Sequence, residues 1–178
     1  MNDRSAALRD LAIQQLRVLA LIYLVAAEPG NANKLDSLTK LAKLDFLVRY
    51  SDARAAVRAS LSGDKAFNEP SMRSNHPMIR HKFGPWDDIY YPVIGALVGR
   101  GLARYVKSRN RGVGLSLTKE GSELFMKLSE SEEWQSTIGE IREVAIEFGT
   151  FSGNRLKEAI YSSVPNALDV PHKTVLRT

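Results

Sequence analysis

The sequence predicts a mainly helical fold carrying one β-hairpin, on three observations. Apolar residues recur at helical spacing in successive segments, the period changes to two between Leu102 and Leu117, and 44% of the chain is hydrophobic with no cysteine. The chain of 178 residues is long enough for a buried core that needs no disulfide. The first helix places Leu8, Leu11, Ala12, Leu16, Leu19, Ala20, Tyr23 and Leu24 on one stripe, becomes apolar all round after Val18, and stops at Pro29 and Gly30. Its unbroken apolar run, Val18 to Ala27, is bounded by Arg17 and Glu28 and is about half of the ~20 residues a bilayer requires. No charged leader with a small-residue cleavage site precedes it, so a core helix and a cytoplasmic location are expected, with no membrane contact.

A second helix is expected from Leu35, Leu38, Leu41, Ala42, Phe46 and Val48, which alternate with Lys40, Lys43 and Arg49 on a polar face. It is expected to run on through Ala53 to Leu61 and to end at Gly63. Asp45 stands one turn before Arg49, a pair worth about 0.3 kcal/mol on a helix surface. Residues 62–85 hold Gly63, Asn68, Pro70, Ser74, Asn75, Pro77 and Gly84, the composition of a long loop and therefore a functional candidate. A third helix follows with Ile89, Val93, Ala96 and Leu97 on one face. Its start lies either at Pro85, with Asp87 and Asp88 in the first turn, or near Pro92.

After Gly101 the strand pattern begins: Leu102, Tyr105 and Val106 lead into a turn of Arg109, Asn110, Arg111 and Gly112, and Val113, Leu115 and Leu117 return. Thr118 then caps a helix with Glu120 in its first turn and Leu124, Phe125 and Leu128 on its face, and two more helices follow, Glu132 to Phe148 and Asn154 to Val164. Three helices, a hairpin and a helix make the order of a winged helix–turn–helix. The join "LVGRGLARYVKSRNRGVGLSLTKEG" resembles the passage from third helix to wing in winged-helix proteins. The expected organisation is a winged-helix domain over 1–130, with an insertion at 62–85, and a C-terminal helical extension over 131–178 packed on the same domain.

Charge is unevenly spread. Residues 72–118 carry eight basic and two acidic residues, and residues 119–150 carry three basic and eight acidic ones. The basic excess falls at Arg73, Arg80, Lys82, Arg100, Arg104, Lys107, Arg109 and Arg111, and the last five are the candidates for contact with the phosphates of double-stranded DNA without reading of sequence. The third helix does not suit base reading: its start offers Trp86, Asp87, Asp88, Tyr90 and Tyr91, and no Arg or Lys stands between Lys82 and Arg100. Two carboxylates repel a phosphate backbone, whereas Tyr and Trp are frequent anchors on protein surfaces, so these five residues are the candidates for partner binding.

No catalytic constellation can be assembled, and neither enzyme activity nor a cofactor is expected. His76, His81 and His172 do not have metal-ligand spacing, Gly112 and Gly114 lack the third glycine of a dinucleotide loop, and Ser152, Ser162 and Ser163 have no neighbouring histidine.

Three segments carry a resemblance: "LTKLAKLDFLVRY" (38–50), "MIRHKFGPWDDIYYPVIGALVGRGLA" (78–103) and "FSGNRLKEAIYSSVP" (151–165). Together they resemble the middle component of ABC-three-component conflict systems, such as the small accessory subunit of Lamassu-type SMC anti-phage defence. The resemblance implies a non-catalytic adaptor that joins an SMC-like ATPase to an effector nuclease. The "FGP" and "SGNRLKE" segments also resemble the Panacea antitoxin group, which implies an antitoxin-like adaptor, and the winged-helix order alone admits a DNA-binding transcriptional regulator.

Overall fold

A computed structural model describes residues 3–63, 78–81, 84–109, 112–164 and 171, with side chains for 10–63, 78, 87–109, 112–164 and 171. The described residues form a mainly helical chain. In order they are α1 (Asp3–Ala27), α2 (Leu38–Arg49), α3 (Ser51–Ser62), β1 (Ile79–His81), β2 (Gly84–Trp86), α4 (Tyr90–Gly99), β3 (Ala103–Lys107), β4 (Val113–Leu117), α5 (Lys119–Ser129), α6 (Glu132–Phe148) and α7 (Gly153–Ser163). The chain divides into two units. The first comprises Met1–Leu41 with Asp88–Thr150, and the second Ala42–Asp87 with Phe151–Thr178. Residues on both sides of the boundary expected at 130 and 131 fall in the first unit.

In the first unit α1 is the central helix, packed by α4, α5, α6 and β4. Leu21, Ile22 and Val25 are fully buried, and Tyr23 stacks on Phe125 of α5 with ring centroids 4.3 Å apart. The window Asp10–Ala27 is long and apolar enough to cross a membrane by length and composition, and half of it is buried within the fold. Strands β3 and β4 pair antiparallel from Ala103 against Leu117 to Lys107 against Val113. The other edge of β4 is taken by Leu35, whose N–H donates to the Leu115 carbonyl at 2.8 Å and whose carbonyl accepts from the Leu115 N–H at 2.9 Å. With both edges covered, Gly114, Leu115 and Ser116 are all buried, and the simple in–out alternation expected of the returning strand is lost. Leu35 therefore belongs to this bridge, and α2 begins three residues later.

Thr118 caps α5 by accepting the Gly121 N–H at 3.1 Å, as the sequence predicts. Gly121 is required there because a Cβ would lie 1.9 Å from the Leu102 carbonyl oxygen. The boundaries of α6 match the expected ones, and Ile138, Ile141, Val144, Ala145 and Phe148 form its buried stripe.

In the second unit, the expected single helix is broken. Tyr50 has φ −119° and ψ 83°, and α3 restarts behind it with the Arg54 N–H on the Tyr50 carbonyl. The break serves the side chain: Tyr50 is buried, its ring tilts against Phe46 at 4.8 Å, and its hydroxyl accepts the Met78 N–H at 2.8 Å. Burial first, and the nearby Asp87 and Asp45 charges with it, raise the phenol above its ordinary value against the Met78 bond and Arg49. Gly63 ends α3 at φ 80°, where the sequence places the stop. Asp45 and Arg49 pair as expected, with Nε to Oδ2 at 2.9 Å, but the pair is buried, and Asp87 completes a triad at 2.7 Å from Arg49 Nη2. Breaking a buried pair of this kind from one side costs ~3–5 kcal/mol. The segment expected as a loop holds a short antiparallel pair, Ile79 against Trp86 to His81 against Gly84, while 64–77, 82 and 83 lie outside the described residues. α3 packs on α7, which buries Leu156, Ala159 and Ile160.

The polar face expected of the second helix is also corrected. Lys40 is only 4% exposed and Lys43 5%. Burial, with the Lys157 charge adding to it, lowers the Lys43 ammonium to about 8.

Candidate functional site

The hairpin of the first unit presents its cations outward. Arg104, opposite Ser116, and Lys107, opposite Val113, are exposed on β3. Tyr105 lies between them at 53% exposure, and Val113 is exposed on the returning strand. The tip is tied back to the loop between α1 and α2. The Ser108 N–H donates to the Gly112 carbonyl at 3.0 Å, and the Arg109 N–H donates to Asp36 Oδ1 at 3.0 Å. Arg109 Nη2 donates to the Gly30 carbonyl, and Lys34 Nζ donates to the Lys107 carbonyl at 2.8 Å while lying 3.5 Å from Asp36. Burial raises the Asp36 carboxyl, but the Arg109 N–H and the Lys34 and Ser108 contacts together outweigh it and hold it below its ordinary value. Arg109 thus braces the hairpin with two donors, its backbone N–H and Nη2, while the residue stays exposed.

Beneath this brace lies a buried polar knot. Asn31 Nδ2 donates to the carbonyls of Val25 at 2.7 Å and Gly149 at 2.9 Å, and Lys40 Nζ donates to the Gly149 carbonyl at 2.6 Å and to Asn31 Oδ1 at 3.2 Å. The knot supplies side-chain donors to carbonyls at the C-terminal ends of α1 and α6, Val25 and Gly149. Burial, with Arg109 against Asp36 as smaller influences, lowers the Lys40 ammonium.

The expected cation set is divided. Arg104, Lys107 and Arg109 share the hairpin, whereas Arg111 lies outside the described residues. Arg100 stands at the C-terminal end of α4, where Nη1 donates to Gln15 Oε1 of α1 at 3.4 Å. There it lines a cleft of about 220 Å³ with leucines of α1, α4 and α5 and with Trp134 of α6.

The expected partner-binding set is divided further. Tyr90 is 1% exposed and belongs to the buried stripe of α4 with Val93, Ile94 and Leu97, so it is no docking residue. Asp87 is committed to Arg49 in the second unit. Asp88 is exposed, Tyr91 is 61% exposed, and the Trp86 side chain lies outside the described residues. The outward face of α4 carries Tyr91, Pro92, Gly95 and Gly99. Nothing lies within 4 Å of where a Cβ would stand at either glycine. Among the described residues no group of three His, Cys, Asp or Glu side chains is arranged to hold a metal ion.

Sequence reasoning missed the brace and the knot. The available signal was the Lys34, Leu35, Asp36 triplet, whose polar, apolar, polar alternation after Asn31 and Asn33 is that of a short strand rather than of a helix start. No family model, curated protein or solved structure matches the chain.

Proposed function

We propose that the chain is a winged helix–turn–helix protein acting as a cytoplasmic, non-catalytic accessory subunit of an SMC-like ATPase and nuclease anti-phage complex. In this reading the wing is β3–β4, the short first strand is Leu35, and α4 is the helix that would enter a major groove in a DNA-reading relative. The order of helix, short strand, helices and two strands, with the short strand paired to the last, supports that assignment.

One observation carries the functional reading. Tyr91 is the only polar side chain on the outward face of α4, while Arg104, Lys107 and Arg109 are exposed on the hairpin. Base edges require amide or guanidinium groups on the inserted helix, and phosphates require only cations. The wing therefore holds DNA by its backbone, and the face of α4 with Tyr91 and Asp88 meets polypeptide. The basic segment 72–118 and the resemblance to the accessory subunit of such systems support the same view.

The test has two arms. The purified chain should co-purify with its ATPase and nuclease partners. It should also bind unrelated duplexes with similar, weak affinity and a salt slope of about −3, as three phosphate contacts imply. A sequence-selective shift of one duplex persisting at physiological salt, with no ATPase recovered, overturns the proposal in favour of a transcriptional regulator.

A further inference from the structure

The cleft beside Arg100 has the chemistry of a small-ligand site. Its floor is apolar, formed by the buried Leu16, Leu19 and Leu97, and its walls are the half-buried Leu124, Leu128 and Trp134. Among the described residues no carboxylate lines it. Its charged member is Arg100, exposed at the mouth, whose side-chain hydrogen bond goes to a neutral amide, that of Gln15.

The electrostatics can be weighed. Arg100 stands at the end of α4, where the helix contributes roughly half a negative charge, and the full positive charge of the guanidinium exceeds it. Among the described lining residues the charge at the mouth is therefore positive, over an apolar interior. A ligand filling it buries hydrocarbon and places an anion on a planar, two-pronged donor, which suits a carboxylate better than a spherical ion. Size narrows the class: a cavity of roughly 150 Å³ accepts benzene, so about 220 Å³ leaves room for one ring and a short arm.

We infer that this cleft binds a small apolar monocarboxylate, an aromatic or branched acid of about eleven heavy atoms, with its hydrocarbon among the leucines and Trp134 and its carboxylate on Arg100. Such a ligand touches α1, the end of α4, α5 and α6 together, so its binding energy would tighten the packing of the first unit around the helix that leads into the hairpin. The inference stands on the first unit alone and does not depend on the adaptor reading.

The test compares 3-phenylpropanoate with 3-phenylpropan-1-ol, which keeps the ring and arm and removes the carboxylate. Binding is followed by calorimetry on the unaltered chain and by Trp134 emission in a Trp86→Phe variant, where one tryptophan remains. The acid should bind saturably and the alcohol at least about tenfold more weakly. Arg100→Gln should weaken the acid by about the same factor and leave the alcohol unchanged. Equal affinity for the two compounds, or Arg100→Gln binding the acid as the parent does, overturns the inference. Binding of neither compound leaves the cleft to a protein side chain or a second copy of the chain, and overturns it equally. Recovery of the ATPase partner without acid binding, or the reverse, tells failure of this inference from failure of the adaptor reading.

Discussion

Along α4, Gly95 and Gly99 face open space, and no atom lies within 4 Å of the Cβ either could carry. In the hairpin and the helix after it, Gly114 and Gly121 are closed in: a Cβ would stand 2.7 Å from the Leu35 carbonyl oxygen at the first and 1.9 Å from that of Leu102 at the second. Charge divides the same way, with cations exposed on the hairpin and none on the outward face of α4. The hairpin is held from behind by Asp36, Lys34 and Arg109, so its glycines and much of its polar chemistry serve its own architecture. In the reading proposed above, it is the open face of α4 that meets polypeptide.

The largest expected effect breaks the closed-in side. Gly121→Ala should destabilise the isolated chain by about 3 kcal/mol, because the atoms nearest the new methyl are all Leu102 backbone and cannot yield, which outweighs the helix propensity gained. Thermal unfolding followed by circular dichroism reads it, and an unchanged midpoint would mean that the approach of Leu102 to α5 is not as close as described. Next, Arg104→Glu with Lys107→Glu should weaken duplex binding by at least about tenfold and reduce the salt slope by about 2, with co-purification of the ATPase intact. Fluorescence anisotropy at two salt concentrations measures both quantities. Equal loss of DNA and ATPase binding would erase the distinction between hairpin and helix.

Gly95→Ala works in the other direction. It should stabilise the isolated chain by about 0.5–1 kcal/mol, since a helical alanine costs less entropy and meets nothing here. The same variant should co-purify less ATPase, and a gain in stability with undiminished co-purification would sink the docking half of the proposal. The smallest effect concerns the brace. Asp36 is held below its ordinary value of 3.8, so its contribution is fully present above that value and is lost only as the pH falls through the lower folded one. The Arg109 amide resonance should titrate with a midpoint under 3.8, and a midpoint at or above it would contradict the bond to Asp36.

Most elements were legible because their signals are local. The stripe of α1, the caps at Thr118 and Gly63, the boundaries of α6 and the period change into β3–β4 depend on residues within a turn or two of one another. The pair of Asp45 with Arg49 was legible for the same reason, although its burial and its third member, Asp87, were not. What escaped depends on distant partners. Tyr50 breaks a continuous helical pattern because its hydroxyl serves Met78, 28 residues on, and no neighbour of Tyr50 announces that. Lys40 and Lys43 look like surface charges at helical spacing, and only the Gly149 carbonyl, 109 residues from Lys40, explains why the first is inside. Tyr90 and Tyr91 are identical as residue types, and their opposite fates follow from the register of α4, whose start two prolines left ambiguous.

The knot around Gly149 has a practical corollary. An amine-reactive ester acylates lysines that it can reach, and Lys40, buried with its Nζ donating to two acceptors, is out of reach. Brief labelling should mark Lys107 and Lys119 and pass over Lys40, so that a mass spectrum of the modified chain becomes a readout of whether the ends of α1 and α6 are still fastened.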